Sequence, residues 1–439
     1  MMNNFFLEKV VLPLGDLLLK SNFIKNLKFW RSFDSLSELD IKKHQNKQLK
    51  YQLLYAQKYL LKYKNIKIDT SKTAEEILKL FPILNKNDLR SNALSLQVKT
   101  KQKIFKIYSS GSTGVSTWVS MDSSDLMSIQ SLSIHLWELC GYKLGEPIVQ
   151  TGMSPKRSRL KKLKDIFFRV YYISAFSLSD KDLKSICFKL SMKKNCSLVG
   201  YPSSLNIIAE YVIENNIKLR LKTVIGFGDK LFDHYKKNIQ QAFGCKIHET
   251  YGSSEGFQIG FQSDLDYMYL YTPQVYMEIL DDNNNPVKDG EIGNVVVTRL
   301  DNKNMPLIRY KLGDLAVMLP RNKYPVNRKY NFPLIEKVIG RNTDIVLLPD
   351  NRKLIVHSFT GIFEYIQEIK QFKIIQKDRK SILVQYVPDE DFTKEVLTIV
   401  KVKLQKIIMN DDFKILFEEV SKIKGTKSGK PQIIESHIV

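Results

Sequence analysis

The chain has 439 residues, 43% hydrophobic and 26% charged, which excludes a disordered or low-complexity protein and predicts one large domain with a smaller one. Its 68 basic and 46 acidic residues give a formal charge of +22, a field that attracts polyanions. Lysine dominates and asparagine is frequent, so charge alone is read as solvated surface rather than as a polyanion site.

The opening 30 residues are rich in Leu, Phe and Lys, interrupted by Glu8, Asp16 and Lys20. No run reaches the roughly 18 apolar residues of a membrane span, and the pattern of a signal peptide is missing. We expect an amphipathic packing segment here; the competing reading is a segment resting on a membrane surface. Residues 36–65 read as helix, with Leu49, Leu53, Leu54 and Leu60 at helical spacing. Short strands then alternate with helices. "PIVQTG" (147–152) and "CSLVGYP" (196–202) read as buried strands, Ser179 as the cap of a helix to about 194, and Pro202 as the start of another that stops near Asn215. "LKTVIGFGD" and "CKIHETYGSSEG" repeat the strand-then-glycine-loop pattern. Such alternation predicts an α/β domain with mostly parallel strands and ligands at the strand ends. From about 265 to 335 the texture becomes a β-rich subdomain of antiparallel hairpins, with turns at 281–286 and 289–293. A small α+β tail follows, with a hairpin at "LPDNRKL", strands near 372–375 and 382–387, and a helix at about 391–408. The expected domains are 1–339 and 340–439.

Cys140, Cys187, Cys196 and Cys245 have no metal-ligand spacing, so they predict reduced thiols in a cytoplasmic protein. The six histidines are scattered, which argues against zinc. No recognition motif or aromatic-interleaved basic surface speaks for nucleic acid. One basic stretch, 156–169, reads either as a solvated helix or as a landing site for a phosphate-bearing acceptor.

Small hydroxylated residues and glycines concentrate at Ser109, Ser110, Gly111, Ser112, Thr113 and Gly114. Successive N–H groups and hydroxyls in such a loop can wrap phosphate oxygens, although the lysine of a Walker loop is missing. "HETYGSSEG" (248–256) supplies an aromatic ring at Tyr251, small residues at Gly252, Ser253 and Ser254, and a carboxylate at Glu255 suited to Mg²⁺. "RYKLGDLA" (309–316) offers Asp314, read as lying in a tight turn after a strand, where a carboxylate suits two ribose hydroxyls. "GRNTD" places Arg341 at the domain junction, and "GTKSGKPQII" places Lys430 on a glycine-flanked loop.

The ordered series "SSGSTG", "YGSSEG", "YKLGD", "GRNTD" and "TKSGK" resembles the adenylate-forming superfamily over residues 109–430. The short chain and "GYPSSLNIIAEYV" (200–212) are most similar to its phenylacetate–CoA ligase and CapK-like branch, often labelled coenzyme F390 synthetase-like. The resemblance implies a mobile C-terminal domain and a ligase that uses ATP and Mg²⁺. A carboxylic acid would become an acyl adenylate with release of pyrophosphate. The acyl group would then pass to CoA or, alternatively, to an amine or hydroxyl on a sugar or amino acid, as in polysaccharide biosynthesis. By the same resemblance, residues 109–114 hold the β,γ-phosphates. Tyr251 stacks on adenine, Ser254 and Glu255 serve phosphate and Mg²⁺, and Glu249, Thr250, Gly252 and Ser253 are cofactor-binding residues beside them. Asp314 and Arg341 bind ribose, and Lys430 drives adenylation, with Lys427 as its rival. Gly226 and Gly228 match the adenine pocket loosely. Three positions depart from the family pattern: Val115 and Ser116 stand in place of a Lys-Pro ending, and Thr343 stands in place of an acidic residue after the hinge arginine. The remaining reading, from another class, is a basic protein that binds an anionic membrane or nucleic acid without catalysis.

Overall fold

The computed structural model describes residues 7–19, 21–108, 117–152, 165–166, 168–174, 178–228, 231–339, 345–350, 352–363, 365–366, 368–423 and 433–438. The expected phosphate loop 109–114, the basic run 156–164, Arg341, Lys427 and Lys430 lie outside the described residues.

In chain order the helices are α1 (Leu12–Leu19), α2 (Phe23–Arg31), α3 (Glu38–Tyr59), α4 (Ala74–Leu78), α5 (Lys86–Asn92), α6 (Ser123–Leu139), α7 (Asp180–Ser191), α8 (Pro202–Glu214), α9 (Asp233–Phe243), α10 (Val356–Phe363) and α11 (Lys394–Ile408). The strands begin with β1 (Ile104–Tyr108), β2 (Trp118–Asp122), β3 (Ile148–Gly152), β4 (Val170–Ser174), β5 (Ser197–Gly200), β6 (Thr223–Phe227), β7 (Ile247–Gly252), β8 (Gln258–Phe261) and β9 (Met268–Leu270). They continue with β10 (Val275–Leu280), β11 (Ile292–Arg299), β12 (Tyr310–Met318), β13 (Leu334–Ile339), β14 (Ile345–Leu347), β15 (Lys353–Ile355), β16 (Ile369–Asp378), β17 (Ser381–Pro388), β18 (Lys414–Glu419) and β19 (Ile434–Ser436).

The chain divides into two compact units. The first takes Met1–Ile107, Trp118–Gly145 and His248–Gly340. Its main sheet runs β10-β11-β12-β13-β9-β8-β7, with every pairing antiparallel. In β11, Val295 and Val297 enter a core shared with Leu49 and Leu53 of α3 and with Phe257 and Ile259, while Val296, Thr298 and Arg299 are buried as well. The two turns expected at 281–286 and 289–293 fall within one connection, because β10 and β11 form a single hairpin from Leu280↔Asn294 to Val275↔Arg299. Helix α6 starts with a reciprocal cap between Asp122 and Asp125. Its His135 meets Asp34 at 3.0 Å, and Arg31 of α2 bridges Glu8 and Glu138.

The second unit takes Tyr108–Thr117, Glu146–Ile247 and Arg341–Val439. Strands β6-β5-β3-β4 are parallel, with Val149↔Leu198 and Leu198↔Val224 in register. Their continuous apolar runs are covered by Leu183 and Ile186 of α7, Leu205 and Ile208 of α8, and Ile239 and Phe243 of α9. Ser179 caps α7 reciprocally with Asp182, Pro202 opens α8, and Gly244 closes α9 at φ +67°, so these boundaries follow local chemistry. Residues of the tail have their own core. Val396, Val400, Leu404 and Ile408 of α11 pack with Ile374 and Val384 of the sheet β18-β17-β16-β19. The β14–β15 hairpin, β16, β17 and α11 fall where the sequence placed them. An α/β domain with a β-rich subdomain and a C-terminal domain with a separate sheet is therefore the observed fold class.

Cys140, Cys187 and Cys196 are buried free thiols, and Cys245 is half-buried. Burial pushes the Cys187, Cys196 and Cys245 thiols up to about 11, and Cys140 higher still. No group of three or more metal-ligating side chains occurs among the described residues. Nor is any helix among them long and apolar enough to cross a membrane.

Candidate functional site

Strand β7 carries Glu249, Thr250, Tyr251 and Gly252 into a tight connection to β8. Thr250 pairs with Phe261 and Tyr251 with Gly260. The Ser253 N–H donates to the Phe257 carbonyl at 2.9 Å, and the Gly256 N–H donates back to the Ser253 carbonyl at 3.0 Å. Ser254 and Glu255 thus occupy the two central positions of a turn, and Gly256, at φ +91°, supplies the backbone that leaves it. Gln274, fully buried, fixes the far side: its amide donates to the Gly256 carbonyl and its oxygen accepts the Gln258 N–H at 2.7 Å.

The turn aims Glu255 inward, leaving it 4% exposed. Its Oε1 accepts the Tyr310 hydroxyl at 3.2 Å, and its Oε2 accepts from Ser254 Oγ at 3.4 Å. Tyr310 lies parallel to Phe257, 6.2 Å between ring centres. One loop away, the Tyr251 hydroxyl donates to Asp314 Oδ2 at 2.9 Å. Two tyrosine–carboxylate bonds, running in opposite senses, therefore join "YGSSEG" to "RYKLGD". Ser253 Oγ is buried with no hydrogen-bond partner among the described residues, a donor left for something else.

Asp314 is not in a turn after a strand, as the sequence suggested; it lies inside β12. Opposite β11 the register jumps from Asn294↔Leu315 to Val296↔Lys311, so residues 312–314 bulge, with Gly313 at φ +87°. A bulge re-aims the side chains of a strand, and this one presents Asp314 to Tyr251. Arg309, just before β12, forms a fork on Glu278 at 2.9 and 3.1 Å, which anchors the start of the strand.

Beneath the turn lies Arg299, with no exposed surface. Its guanidinium binds Asp301 at 2.7 and 3.3 Å, while Nη1 has no hydrogen-bond partner among the described residues. Nη1 would stand 2.6 Å from a Cβ placed on Gly256. Asp125 shares this buried patch; burial pushes its carboxyl up to about 7 against the pull of Arg299.

The structure thus brings together Tyr251, Ser253, Ser254, Glu255 and Asp314. Tyr310, Gln274, Arg299 and Arg309 were not singled out by the sequence. Tyr310 sits inside a quoted motif, whereas nothing local marks Arg299 or Gln274. The donor set fits one Mg²⁺. A magnesium ion shared with phosphates needs only about one or two protein carboxylates, and Glu255, which accepts one hydroxyl bond on each oxygen, is a carboxylate that could hold it.

Residues 347–437 match the sequence model of the CapK C-terminal domain. The chain is 28% identical over 369 residues to Protein CapK of Staphylococcus aureus, covering 81% of this chain and 80% of that protein. It is 25% identical over 359 residues to the phenylacetate-coenzyme A ligase of Pseudomonas putida, covering 75% and 76%. Among solved structures, 2-hydroxyisobutyryl-CoA ligase with 2-HIB-AMP and CoA in its thioesterification state superposes with a TM-score of 0.62 at 19% identity. That match covers 93% of this chain and 92% of the ligase.

Proposed function

We propose that this chain, a relative of CapK and of phenylacetate–CoA ligase within the adenylate-forming superfamily, is an AMP-forming acid ligase. The observation that supports this best is the double tyrosine–carboxylate link, which gathers an aromatic ring, two carboxylates and serine hydroxyls into one cluster of the first unit. In this reading a carboxylate oxygen of the substrate bonds to the α-phosphorus of ATP. The α–β bridging bond breaks, and pyrophosphate leaves with its electron pair. Tyr251 offers its ring face to adenine while its hydroxyl holds Asp314, which accepts from the ribose hydroxyls. Ser253 and Ser254 donate to phosphate oxygens. Glu255 holds Mg²⁺, which neutralises phosphate charge when bound. We assign residues 109–114 to the β,γ-phosphates, Arg341 to the ribose, and Lys430 to the charge that develops at the α-phosphate. The domain boundary is placed near 340, so that the tail can move between the two half-reactions.

The acyl acceptor in this reading is CoA. A second reading, which the resemblance to CapK-like proteins implies, is transfer to an amine or hydroxyl on a sugar or amino acid during polysaccharide assembly. ATP–pyrophosphate exchange across aryl, fatty, amino and sugar acids tests the first step. Formation of ADP and phosphate with the cognate acid refutes it. Glu255→Gln should raise the Mg²⁺ needed for half-maximal exchange, and an unchanged requirement removes Glu255 from the metal. Trapping the acyl product with CoA or with an amino sugar separates the two acceptors.

A further inference from the structure

We infer that the N-terminal helical segment docks this protein on an anionic lipid bilayer. Helix α1 and the wide turn before it, Leu7–Val11, have two unlike faces. Leu7 and Leu12 are buried, and α2 continues the buried side with Phe23, Ile24, Leu27 and Trp30. On the other side stand Val10 (37% exposed), Leu14 (53%), Leu17 (75%) and Leu18 (81%). Leu14, Leu17 and Leu18, at i, i+3 and i+4, form one face of α1, and Val10 precedes them in the wide turn. Isolated exposed leucines are ordinary; three at helical spacing on one face are an amphipathic helix with its apolar side turned to solvent.

The charges around this face state its partner. Residues 7–31 contain two acids, and both are engaged within the fold. Glu8 pairs with Arg31. Asp16 accepts the Ser21 hydroxyl and the N–H groups of Phe23 and Ile24, at 3.1 and 2.8 Å for the latter two, and so caps α2. Lys9, Lys25 and Lys28 are exposed. The segment therefore exposes leucines and lysines and engages both of its acids within the fold, on a chain of net charge +22. A negatively charged headgroup layer over acyl chains matches both components at once, the lysines remaining among headgroups while the leucines enter the acyl boundary. A second protein copy would bring the same lysines against each other. This inference does not depend on the reaction proposed above.

The test is flotation of the full chain with vesicles of mixed phosphatidylcholine and phosphatidylglycerol, against vesicles of phosphatidylcholine alone. The chain should float with the anionic vesicles only, and less of it as salt rises. The triple variant Leu14→Ser, Leu17→Ser, Leu18→Ser should lose about ten-fold or more in partition while melting like the parent, since these side chains are exposed. Leu17→Trp should shift its added fluorescence to the blue on anionic vesicles. Equal partition of the triple variant, or no partition of the parent at low salt, overturns the inference. A concentration-dependent dimer that the three serines dissolve, with no flotation, assigns the face to a second copy and overturns it equally.

Discussion

Replacing Gly256 with alanine examines how the Glu255 turn is held. Two costs are added. At φ +91° a Cβ is strained, on the order of 1–3 kcal/mol for a non-glycine residue. The new methyl would also lie 2.6 Å from Arg299 Nη1, 2.7 Å from Met121 Cε and 2.8 Å from Ile129 Cδ1. Met121 and Ile129 can swing aside. Arg299 has no room to, since it is fully buried and forked on Asp301. Overpacking of that kind adds about 1–3 kcal/mol, so a total loss of about 2–6 kcal/mol is expected. Gly290 is the control. It is exposed at φ +93°, and its Cβ would meet only Pro320, at 3.3 Å and beyond. Gly290→Ala therefore carries the backbone cost without the clash, and the difference between the two variants isolates the guanidinium contact. Urea unfolding gives both stabilities, and pyrophosphate exchange reports whether Glu255 has been displaced. Equal losses for the two variants, with exchange intact in Gly256→Ala, would refute the claim that Arg299 supports the turn.

Tyr251→Phe keeps the ring but removes the donor to Asp314, so exchange should fall about five-fold, near 1 kcal/mol. In a cycle with Asp314→Asn the two losses should fall short of additive, and strict additivity dissociates the pair. Asp125→Asn should flatten a pH dependence. A carboxyl raised to about 7 when folded stabilises the protein below about pH 4, and that contribution is lost as pH rises through 7. The variant should therefore be more stable than the parent at pH 8, by about 2–4 kcal/mol, and no more stable at pH 4, as read by urea melts. Lys430→Ala should slow adenylation on the order of a hundredfold while sparing transfer from a supplied acyl adenylate, and Lys427→Ala should do much less. Near-parental adenylation by Lys430→Ala reassigns the role.

Features written in neighbouring residues were legible. The Ser179–Asp182 cap, Pro202 at the start of α8 and the four-residue repeat of α11 needed no partner from elsewhere. Asp314 was misplaced because Gly-Asp ordinarily signals a turn, whereas here β12 continues through it and carries the extra residues as a bulge opposite β11. The pairing with β11 that makes it a strand is not written in the motif. The two tyrosine links span 55 and 63 residues, so no local spacing announces them. Arg299, at the end of "NVVVTR", reads as a polar strand terminus. Its complete burial depends on Asp301 and on a missing side chain at Gly256, and neither conveys burial by itself.

The sealed thiols make the protein its own unfolding clock. With a folded pKa of about 11, Cys187 and Cys196 expose on the order of 1 thiolate per 1,000 molecules at pH 8, before any steric shielding. Cys140 lies in one compact unit, and Cys187 and Cys196 in the other. A disulfide reagent added in excess thus waits for each unit to open, and mass spectrometry of the labelled peptides times the two openings separately. Without a single engineered probe, the order in which the halves of the molecule come apart is written in which cysteine reacts first.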